Sequence, residues 1–211
     1  MSATTVETAN HTWQRLPLAD AEVHCAWSWL TSHEADALFE RLLEEIPWER
    51  HRLRMFGREL DAPRLSCWIG DPGATYMYSR SRFEPRPWTP SLHPLRERVQ
   101  QACGARFNSV LANLYRDGQD SMGWHSDDEP ELGSQPTIAS LSLGATRRFR
   151  LRRRLPRGMR VSSADKVELG LTSGSLLCMA GATQQLYQHD LPKSAAVSAP
   201  RINLTFRLIQ T

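Results

Sequence analysis

The residue types best suited to chemistry in this sequence are a histidine and an aspartate two positions apart, His125 and Asp127. In extended backbone, side chains two residues apart point to the same side, so one nitrogen and one oxygen ligand can face a single metal ion. A third ligand must come from elsewhere, and His189 is the candidate. Two histidines and one carboxylate with open coordination positions form the facial triad of non-haem Fe(II) oxygenases. The same set suits zinc, so zinc-dependent hydrolysis is an alternative.

A second pattern of interest is the strict alternation of the C-terminal segment. One face of a strand there would carry Arg201, Asn203, Thr205 and Arg207, and the other face Ile202, Leu204, Phe206 and Leu208. An edge strand with a solvated face is the simplest interpretation. Planar guanidinium groups bind carboxylates bidentately, however, so two arginines that bracket an amide can also hold a small dicarboxylate. Asn113 and Tyr115 share a face in the same way and can add hydrogen bonds.

Helices and strands must position these side chains. Thr31 and Glu34 form a capping box before a run of apolar residues at helical spacing, and a second helix is predicted from Ser91 to Cys103 with Gly104 as its stop. Short strands are predicted in the second half. They cover Asn108–Tyr115, Thr137–Leu143, Arg148–Arg152, Ser175–Met179 and Ile202–Leu208. Helices followed by many strands favour an α+β domain with a β-sandwich or barrel core.

Composition limits the classes of protein to which the chain can belong. Hydrophobic residues make up 40 % and charged residues 23 % of 211 residues, which is enough for a sizeable core. The four cysteines lack C-x-x-C spacing, so neither a zinc knuckle nor a disulfide framework is indicated, and a cytoplasmic location is expected. The sequence shows no signal peptide and no apolar run long enough to span a membrane.

Taken in order, the motifs resemble the AlkB family of Fe(II)- and 2-oxoglutarate-dependent dioxygenases. The motifs are Asn113-x-Tyr115, His125-Ser126-Asp127-Asp128-Glu129, Ser140-Leu141-Ser142-Leu143-Gly144-Ala145-x-Arg147, His189, and Pro200 to Arg207. The resemblance covers approximately residues 60–209. Within the family, the sequence is most similar to the subgroup that repairs alkylated bases in single-stranded DNA and RNA. That closer similarity lies in Pro63–Leu65, Tyr76–Arg80 and Gly181–Gln184.

The resemblance implies a fold and a domain organisation. The expected fold is α+β, with a double-stranded β-helix (jelly-roll) core, N-terminal helices packed on one sheet, and a nucleotide-recognition lid. We expect a flexible N-terminal arm at residues 1–12, followed by one domain over residues 13–211, and a monomeric protein.

The resemblance also implies roles for individual residues. His125, Asp127 and His189 would hold Fe(II) and so form the catalytic centre, with 2-oxoglutarate and O2 as co-substrates. 2-Oxoglutarate would lie with its distal carboxylate against Arg201, Asn203 and Tyr115, and with its metal-chelating carboxylate near Arg207 and Asn113. The residues expected to contact the substrate base or its strand are Tyr76, Tyr78, Glu129, Arg64 and Trp68.

The implied activity is oxidative demethylation of N-alkylated bases, of the 1-methyladenine and 3-methylcytosine type, in DNA alkylation repair. The substrate would be alkylated single-stranded DNA, or RNA, and the products succinate, CO2 and formaldehyde. A base must leave its stack to reach such a site. The alternatives are the same chemistry on a modified tRNA nucleotide, a protein or a small molecule, and a nucleic-acid-binding module that has lost catalysis.

Eight arginines lie between Arg147 and Arg160. A solvated hairpin would explain such a run, since isolated charge runs are usually solvated. In a protein that handles nucleic acid, the same run can neutralise phosphates. Both interpretations stay open at this stage.

Overall fold

The structure is a computed structural model that describes residues 12–55, 58–78, 81–156, 158 and 162–210. The expected N-terminal arm therefore lies, apart from Thr12, outside the described residues. All four cysteines are free thiols. No helix within the described ranges has the length and apolar character needed to cross a membrane.

Fifteen strands and three α-helices make up the described part of the chain. The strands are β1 Gln14–Arg15, β2 Glu22–Ala26, β3 Arg52–Met55, β4 Arg58–Asp61, β5 Leu65–Gly70, β6 Tyr76–Tyr78, β7 Ser81–Phe83, β8 Ser109–Tyr115, β9 Met122–His125, β10 Ile138–Gly144, β11 Arg147–Arg153, β12 Lys166–Leu171, β13 Leu176–Ala180, β14 Tyr187–Leu191 and β15 Arg201–Arg207. The helices are α1 Ser32–Glu45, α2 Leu92–Cys103 and α3 Thr183–Leu186. Short 3-10 turns cover Pro130–Leu132 and Ser163–Asp165.

Two antiparallel sheets form the body of the fold. The larger sheet has seven strands in the order β1-β2-β13-β10-β15-β8-β5, and the smaller has four in the order β12-β11-β14-β9. From β8 to β15 the chain crosses repeatedly between the two sheets, except that β11 and β12 follow one another in the smaller sheet, and this jelly-roll path confirms the expected fold. Two further hairpins, β3-β4 and β6-β7, are separate from these sheets, and the nucleotide-recognition lid stays a prediction.

The larger sheet is buried on both faces because its strands carry apolar residues on both sides. On one face Ile202, Leu204 and Phe206 of β15 pack in the same core cluster as apolar residues of α1 and α2. On the other face a second cluster fills the space between the sheets and includes Tyr115 and Phe149. The polar residues of β15 therefore face the smaller sheet.

Helix α1 begins as the sequence predicts. The Thr31 hydroxyl accepts from the Glu34 backbone N–H at 3.2 Å, and the Glu34 carboxylate accepts from the Thr31 backbone N–H at 2.9 Å. An N-cap of this kind typically contributes about 1 kcal/mol. Helix α2 ends at Gly104, whose φ of 60° is the left-handed conformation expected of a C-terminal glycine.

The five strands predicted in the second half are confirmed within one or two residues as β8, β10, β11, β13 and β15. Three strands of the second half were not predicted, namely β9, β12 and β14. Strand β9 is the most consequential of these, because it carries His125 at its end.

Candidate metal and co-substrate site

Two neighbouring strands of the smaller sheet bring the three predicted metal ligands together. His125 on β9 lies opposite His189 on β14 in the strand register, and their ring centroids are 4.2 Å apart. Asp127 follows β9 by two residues. One potential ligand atom from each of the three residues lies within 4.8 Å of the other two. The predicted triad therefore converges in space although its outer members lie 64 positions apart in the sequence.

Hydrogen bonding leaves Nε2 of His125 available to bind a metal. Its Nδ1 lies 2.8 Å from the carbonyl oxygen of Gly123, which can only accept, so Nδ1 carries the proton. The lone pair is then on Nε2, which lies 4.0 Å from Oδ1 of Asp127. A backbone carbonyl that fixes the tautomer in this way is the usual support of a metal-binding histidine.

Asp127 is a buried carboxylate held in its ionised form. Burial opposes ionisation most strongly, but the positive charge and the hydrogen bond of Arg207 help to outweigh it, so the pKa of Asp127 is lowered. Nη2 of Arg207 donates to Oδ1 at 2.8 Å, and the Asp127 backbone N–H donates to the Gln184 side chain at 3.0 Å. Oδ2 is buried and accepts no hydrogen bond from the described residues. An ionised carboxylate oxygen in that state fits a metal ligand.

His189 is buried, and burial, followed by the charge of His125, lowers its pKa to about 3 against the opposing effect of Asp127. The imidazole is therefore neutral at physiological pH, which is the form that binds metals. Phe149 packs beside it, with ring centroids 5.4 Å apart. The three side chains therefore already have the protonation states in which they can bind Fe(II) or another divalent ion.

The register of the larger sheet assembles the predicted co-substrate residues into one row. Arg201 of β15 lies opposite Tyr115 of β8, and Asn203 lies opposite Asn113. All four line the same cavity as the three metal ligands. The same-face pattern predicted from the C-terminal alternation is confirmed, and the row faces the metal site instead of solvent.

Arg201 meets the requirements of a carboxylate-binding residue. It is 2 % exposed, and burial lowers the pKa of its guanidinium to about 10, so it stays cationic at neutral pH. Nη2 donates to Oγ of Ser142 at 2.8 Å, whereas Nε and Nη1 are buried and have no hydrogen-bond acceptor in the described part of the chain. A buried cation with two free donors is costly unless an anion joins it. The distal carboxylate of 2-oxoglutarate fits that position.

The two asparagines of the row are oriented by neighbouring side chains. Nδ2 of Asn203 donates to Oγ of Ser140 at 2.8 Å. Nε of Arg64 donates to Oδ1 of Asn113 at 2.9 Å, which turns the amide NH2 of Asn113 away from Arg64. The resemblance places Arg207 near the metal-chelating carboxylate, and in the structure its Nη2 donates a hydrogen bond to Asp127.

Three of the residues predicted to contact the substrate, Glu129, Tyr76 and Tyr78, lie in two different parts of the structure. Glu129 is half-buried at the start of the Pro130–Leu132 turn, two residues beyond Asp127. Tyr76 and Tyr78 lie on strand β6, and their side chains are outside the described part of the structure. For these three residues substrate contact stays a prediction.

Arg64 and Trp68 make contacts within the protein. Both are 5 % exposed. Arg64 holds Asn113, and the Trp68 indole N–H donates to the Ala74 carbonyl at 2.8 Å while the ring packs between the sheets. These contacts do not test the predicted contact with the substrate, which stays a prediction for both residues.

Sequence reasoning missed the residues that support the site. Ser140 and Ser142 alternate on β10 and orient Asn203 and Arg201. Their spacing of two was a usable signal, because a predicted strand places them on one face. Gln184 and the Arg207–Asp127 pair carried no local signal, since their partners lie 57 and 80 residues away in sequence.

The fold and the site together define a class of protein. A jelly-roll body with two histidines and a carboxylate, next to an arginine row, is the arrangement of a 2-oxoglutarate-dependent iron oxygenase. A sequence profile described as "2OG-Fe(II) oxygenase superfamily" matches residues 22–207. The chain belongs to this superfamily and, by the relatives described next, to its AlkB group.

Two curated relatives show which group of the superfamily the chain is similar to. The chain is 46 % identical over 182 residues to "Alpha-ketoglutarate-dependent dioxygenase alkB homolog 3" of Rattus norvegicus, covering 83 % of this chain and 60 % of that protein. It is 40 % identical over 209 residues to "DNA oxidative demethylase ALKBH2" of Bos taurus, covering 97 % of this chain and 74 % of that one. The chain thus spans about 60 % of the length of the alkB homolog 3 proteins that it matches.

A solved structure supports the fold. "The structure of OsALKBH1" matches with a TM-score of 0.64 over 93 % of this chain and 100 % of that chain. The sequence identity of this pair is 18 %, so the likeness concerns the fold alone.

Proposed function

We propose that this protein is an Fe(II)- and 2-oxoglutarate-dependent dioxygenase that oxidatively demethylates N-alkylated bases in nucleic acids. The observation that carries the proposal is Arg201, a buried guanidinium with two unsatisfied donors in the cavity that also holds the His125, Asp127 and His189 triad. Zinc-dependent hydrolysis would explain the three ligands but would not explain a carboxylate-binding arginine beside them. The arginine row therefore favours a dicarboxylate co-substrate.

Iron and 2-oxoglutarate, when bound, supply the activation of O2 that lets a methyl C–H bond be hydroxylated. His125, Asp127 and His189 would hold the metal on one side and leave its other positions open. Hydroxylation of an N-methyl group gives a hydroxymethyl adduct, which breaks at the C–N bond to release formaldehyde and the unmodified base. The products of the coupled reaction are succinate, CO2 and formaldehyde.

The chain's own residues would position the reactants. Arg201 would fix the distal carboxylate, and Asn203 and Tyr115 line the same row. Arg207 keeps Asp127 ionised, so that the ligand does not need to lose a proton when metal binds. Only His125 among the ligands is substantially accessible, with 30 % of its side chain exposed, so the target methyl group would approach from that side.

The nucleic-acid substrate is supported by the relatives, one of which is named as a DNA oxidative demethylase. We propose that the substrate is single-stranded DNA or RNA, since an unstacked base enters such a site at lower cost. Tyr76 and Tyr78 are proposed to hold the base, and Glu129 to accept from its exocyclic amino group. We also propose that the protein acts as a monomer, which size-exclusion chromatography with light scattering would test.

The same chemistry on another substrate is the principal alternative. A modified tRNA nucleotide, a protein side chain or a small molecule would use the same metal and 2-oxoglutarate residues. Competition experiments separate these substrates, because a preferred substrate suppresses turnover of the others at equal concentration.

The testing experiment incubates the purified protein with oligonucleotides that carry one 1-methyladenine or one 3-methylcytosine, as single strands, duplexes and RNA. Fe(II) and 2-oxoglutarate are present together or singly omitted, and the oligonucleotide mass is followed. We expect the mass of one methylene group to be lost only in the complete mixture, fastest from single strands. Turnover of 2-oxoglutarate without any mass loss would reject the nucleic-acid substrate.

A further inference from the structure

The outer face of the smaller sheet carries a cluster of cationic and aromatic side chains that the proposed active site does not use. We call it the Trp124 patch and define it by Trp124 on β9, Arg150 and Arg152 on β11, and Lys166 on β12. These residues line a shallow groove of about 460 Å³. The guanidinium carbon of Arg152 lies 3.9 Å from the Trp124 ring centroid, and that of Arg150 lies 5.0 Å from it.

Two rows of side chains cross this face, and their charges differ. In one row Arg150 is opposite Glu168 and Asp190, and it forms an ion pair with Asp190. In the other row Arg152 lies directly opposite Lys166 on one side and the neutral Gln188 on the other. Like charges directly opposite each other in a sheet are destabilising.

The Arg152–Lys166 row has no carboxylate to offset that cost. The hydrogen-bond partner of Arg152 is the amide of Gln188, at 3.3 Å, and Lys166 forms no ion pair with any residue that the structure describes. Stacking on Trp124 uses the flat face of the Arg152 guanidinium and leaves its in-plane N–H groups at the edge. An anion between Arg152 and Lys166 would remove the repulsion and receive these donors.

The patch is close to the mouth of the metal site. Trp124 and His125 are neighbours on β9, which is the edge strand of the smaller sheet. Their side chains point to opposite faces, so His125 enters the cavity and Trp124 lies on the outside. A strand whose base reaches the metal beside His125 would pass around the edge strand β9, and Arg152 on β11 and Lys166 on β12 lie two and three strands from β9, about 10 Å and about 15 Å away.

From these observations we infer that the Trp124 patch binds phosphates of the nucleic-acid strand next to the target nucleotide. This inference rests on the proposed function, because it assigns a second contact region to the same substrate. Arg152 and Lys166 contact phosphate oxygens, and Trp124 is the positioning residue that holds the Arg152 guanidinium.

The test compares a 12-nucleotide single strand with a trinucleotide, each with one central 1-methyladenine, and measures Kd and demethylation of both. Removing both charges by Arg152→Gln with Lys166→Gln is expected to weaken binding of the long strand by about tenfold. The slope of log K against log salt becomes shallower by about 0.7 for each lost phosphate contact. Trp124→Ala weakens long-strand binding and Trp124→Phe restores most of it, because a ring that supports the guanidinium returns.

Arg98→Gln is the matched control, since Arg98 also lies over a tryptophan, Trp29, at 5.3 Å, but belongs to α2 on the far side of the larger sheet. The Arg98→Gln variant should bind the 12-nucleotide strand with the same Kd and the same salt slope as the wild type. The inference would be overturned if the double variant bound the 12-nucleotide strand with the same Kd and the same salt slope as the wild type. It would also be overturned if polyglutamate displaced the bound 12-nucleotide strand as strongly as an unlabelled oligonucleotide does. If the wild type demethylates neither oligonucleotide, the proposed function fails, and that outcome is distinct from these.

Discussion

Nη2 of Arg207 lies 2.8 Å from Oδ1 of Asp127, which couples the last strand of the larger sheet to the carboxylate ligand of the metal site. Both side chains are at most 4 % exposed. The metal ligands belong to the smaller sheet and its following loop, and the co-substrate row belongs to the larger sheet. This ion pair is therefore a direct link between the two halves of the site.

Arg207→Gln tests that link. Removing one partner of a buried ion pair typically costs about 3–5 kcal/mol, because the other charge is left buried. We expect the free energy of unfolding of the metal-free protein to fall by about 3 kcal/mol in a urea titration. Mn(II) should recover more stability in the variant than in the wild type, since a dication supplies the missing charge. Equal stabilisation of both proteins by Mn(II) would argue against this coupling.

Arg201→Ala tests the dicarboxylate row. A charge-assisted hydrogen bond contributes about 1.5–3 kcal/mol, so the KM for 2-oxoglutarate should rise by about 10- to 150-fold. Turnover of 2-oxobutanoate, which lacks the distal carboxylate, should change far less. Arg98→Ala is the control and should leave both KM values at the wild-type level. A similar loss for both keto acids would mean that Arg201 does not bind the distal carboxylate.

Arg147 and Arg148 are adjacent, yet the structure predicts different consequences of their replacement. Arg147 is 1 % exposed and donates to the backbone carbonyls of Asp117, Asp120 and Pro192, whereas Arg148 is exposed and lies 3.8 Å from Glu168. Arg147→Leu should lower the free energy of unfolding by about 3 kcal/mol, because three backbone carbonyls lose their donor. Arg148→Leu should change it by less than about 0.5 kcal/mol. Equal effects in denaturant titrations would contradict the assigned faces.

Asp120 gives a pH-dependent prediction away from the metal ligands. Burial opposes its ionisation, but the side chain and backbone N–H of Arg116 outweigh it, so the pKa of Asp120 is lowered. A carboxyl group with a lowered pKa in the fold stabilises above its unfolded value, about 3.9, and loses that contribution as pH falls through the folded value. Asp120→Asn should therefore cost about 1 kcal/mol at pH 7, a modest value because Arg116 is half-exposed.

The measurement is the difference in unfolding free energy between wild type and Asp120→Asn from pH 7 down to pH 3. The difference should be constant near neutrality and shrink below about pH 4. A difference that grows as the solution becomes more acidic would have the wrong sign for this ion pair.

The parts of the fold that follow from local pattern were predictable. The alternation of β15 placed Arg201, Asn203 and Arg207 on one face, and the Thr31–Glu34 capping box located the start of α1. Both depend on residues within a few positions of one another. Strand β9 lacks that signal, because Met122-Gly123-Trp124-His125 has neither β-branched residues nor a clear alternation.

The remaining features of the site depend on contacts between distant segments. The Arg64–Asn113 hydrogen bond spans 49 residues, and the burial of Arg147 follows from three carbonyls supplied by two separate loops. Arginine runs are usually solvated, so composition alone could not divide the run into a buried member and an outward-facing row. The buried contacts of Arg64 with Asn113 and of Trp68 with Ala74 could not be predicted for the same reason, since their side-chain direction is a property of the assembled sheet.

The most direct test of the proposed demethylation is the ratio of formaldehyde released to succinate formed on a single-stranded oligonucleotide with one 1-methyladenine or one 3-methylcytosine. We expect one formaldehyde for each succinate in the presence of the methylated strand, and neither product with Asp127→Ala, which removes a metal ligand. Succinate formation without formaldehyde from either methylated strand, or full activity of Asp127→Ala, would contradict it.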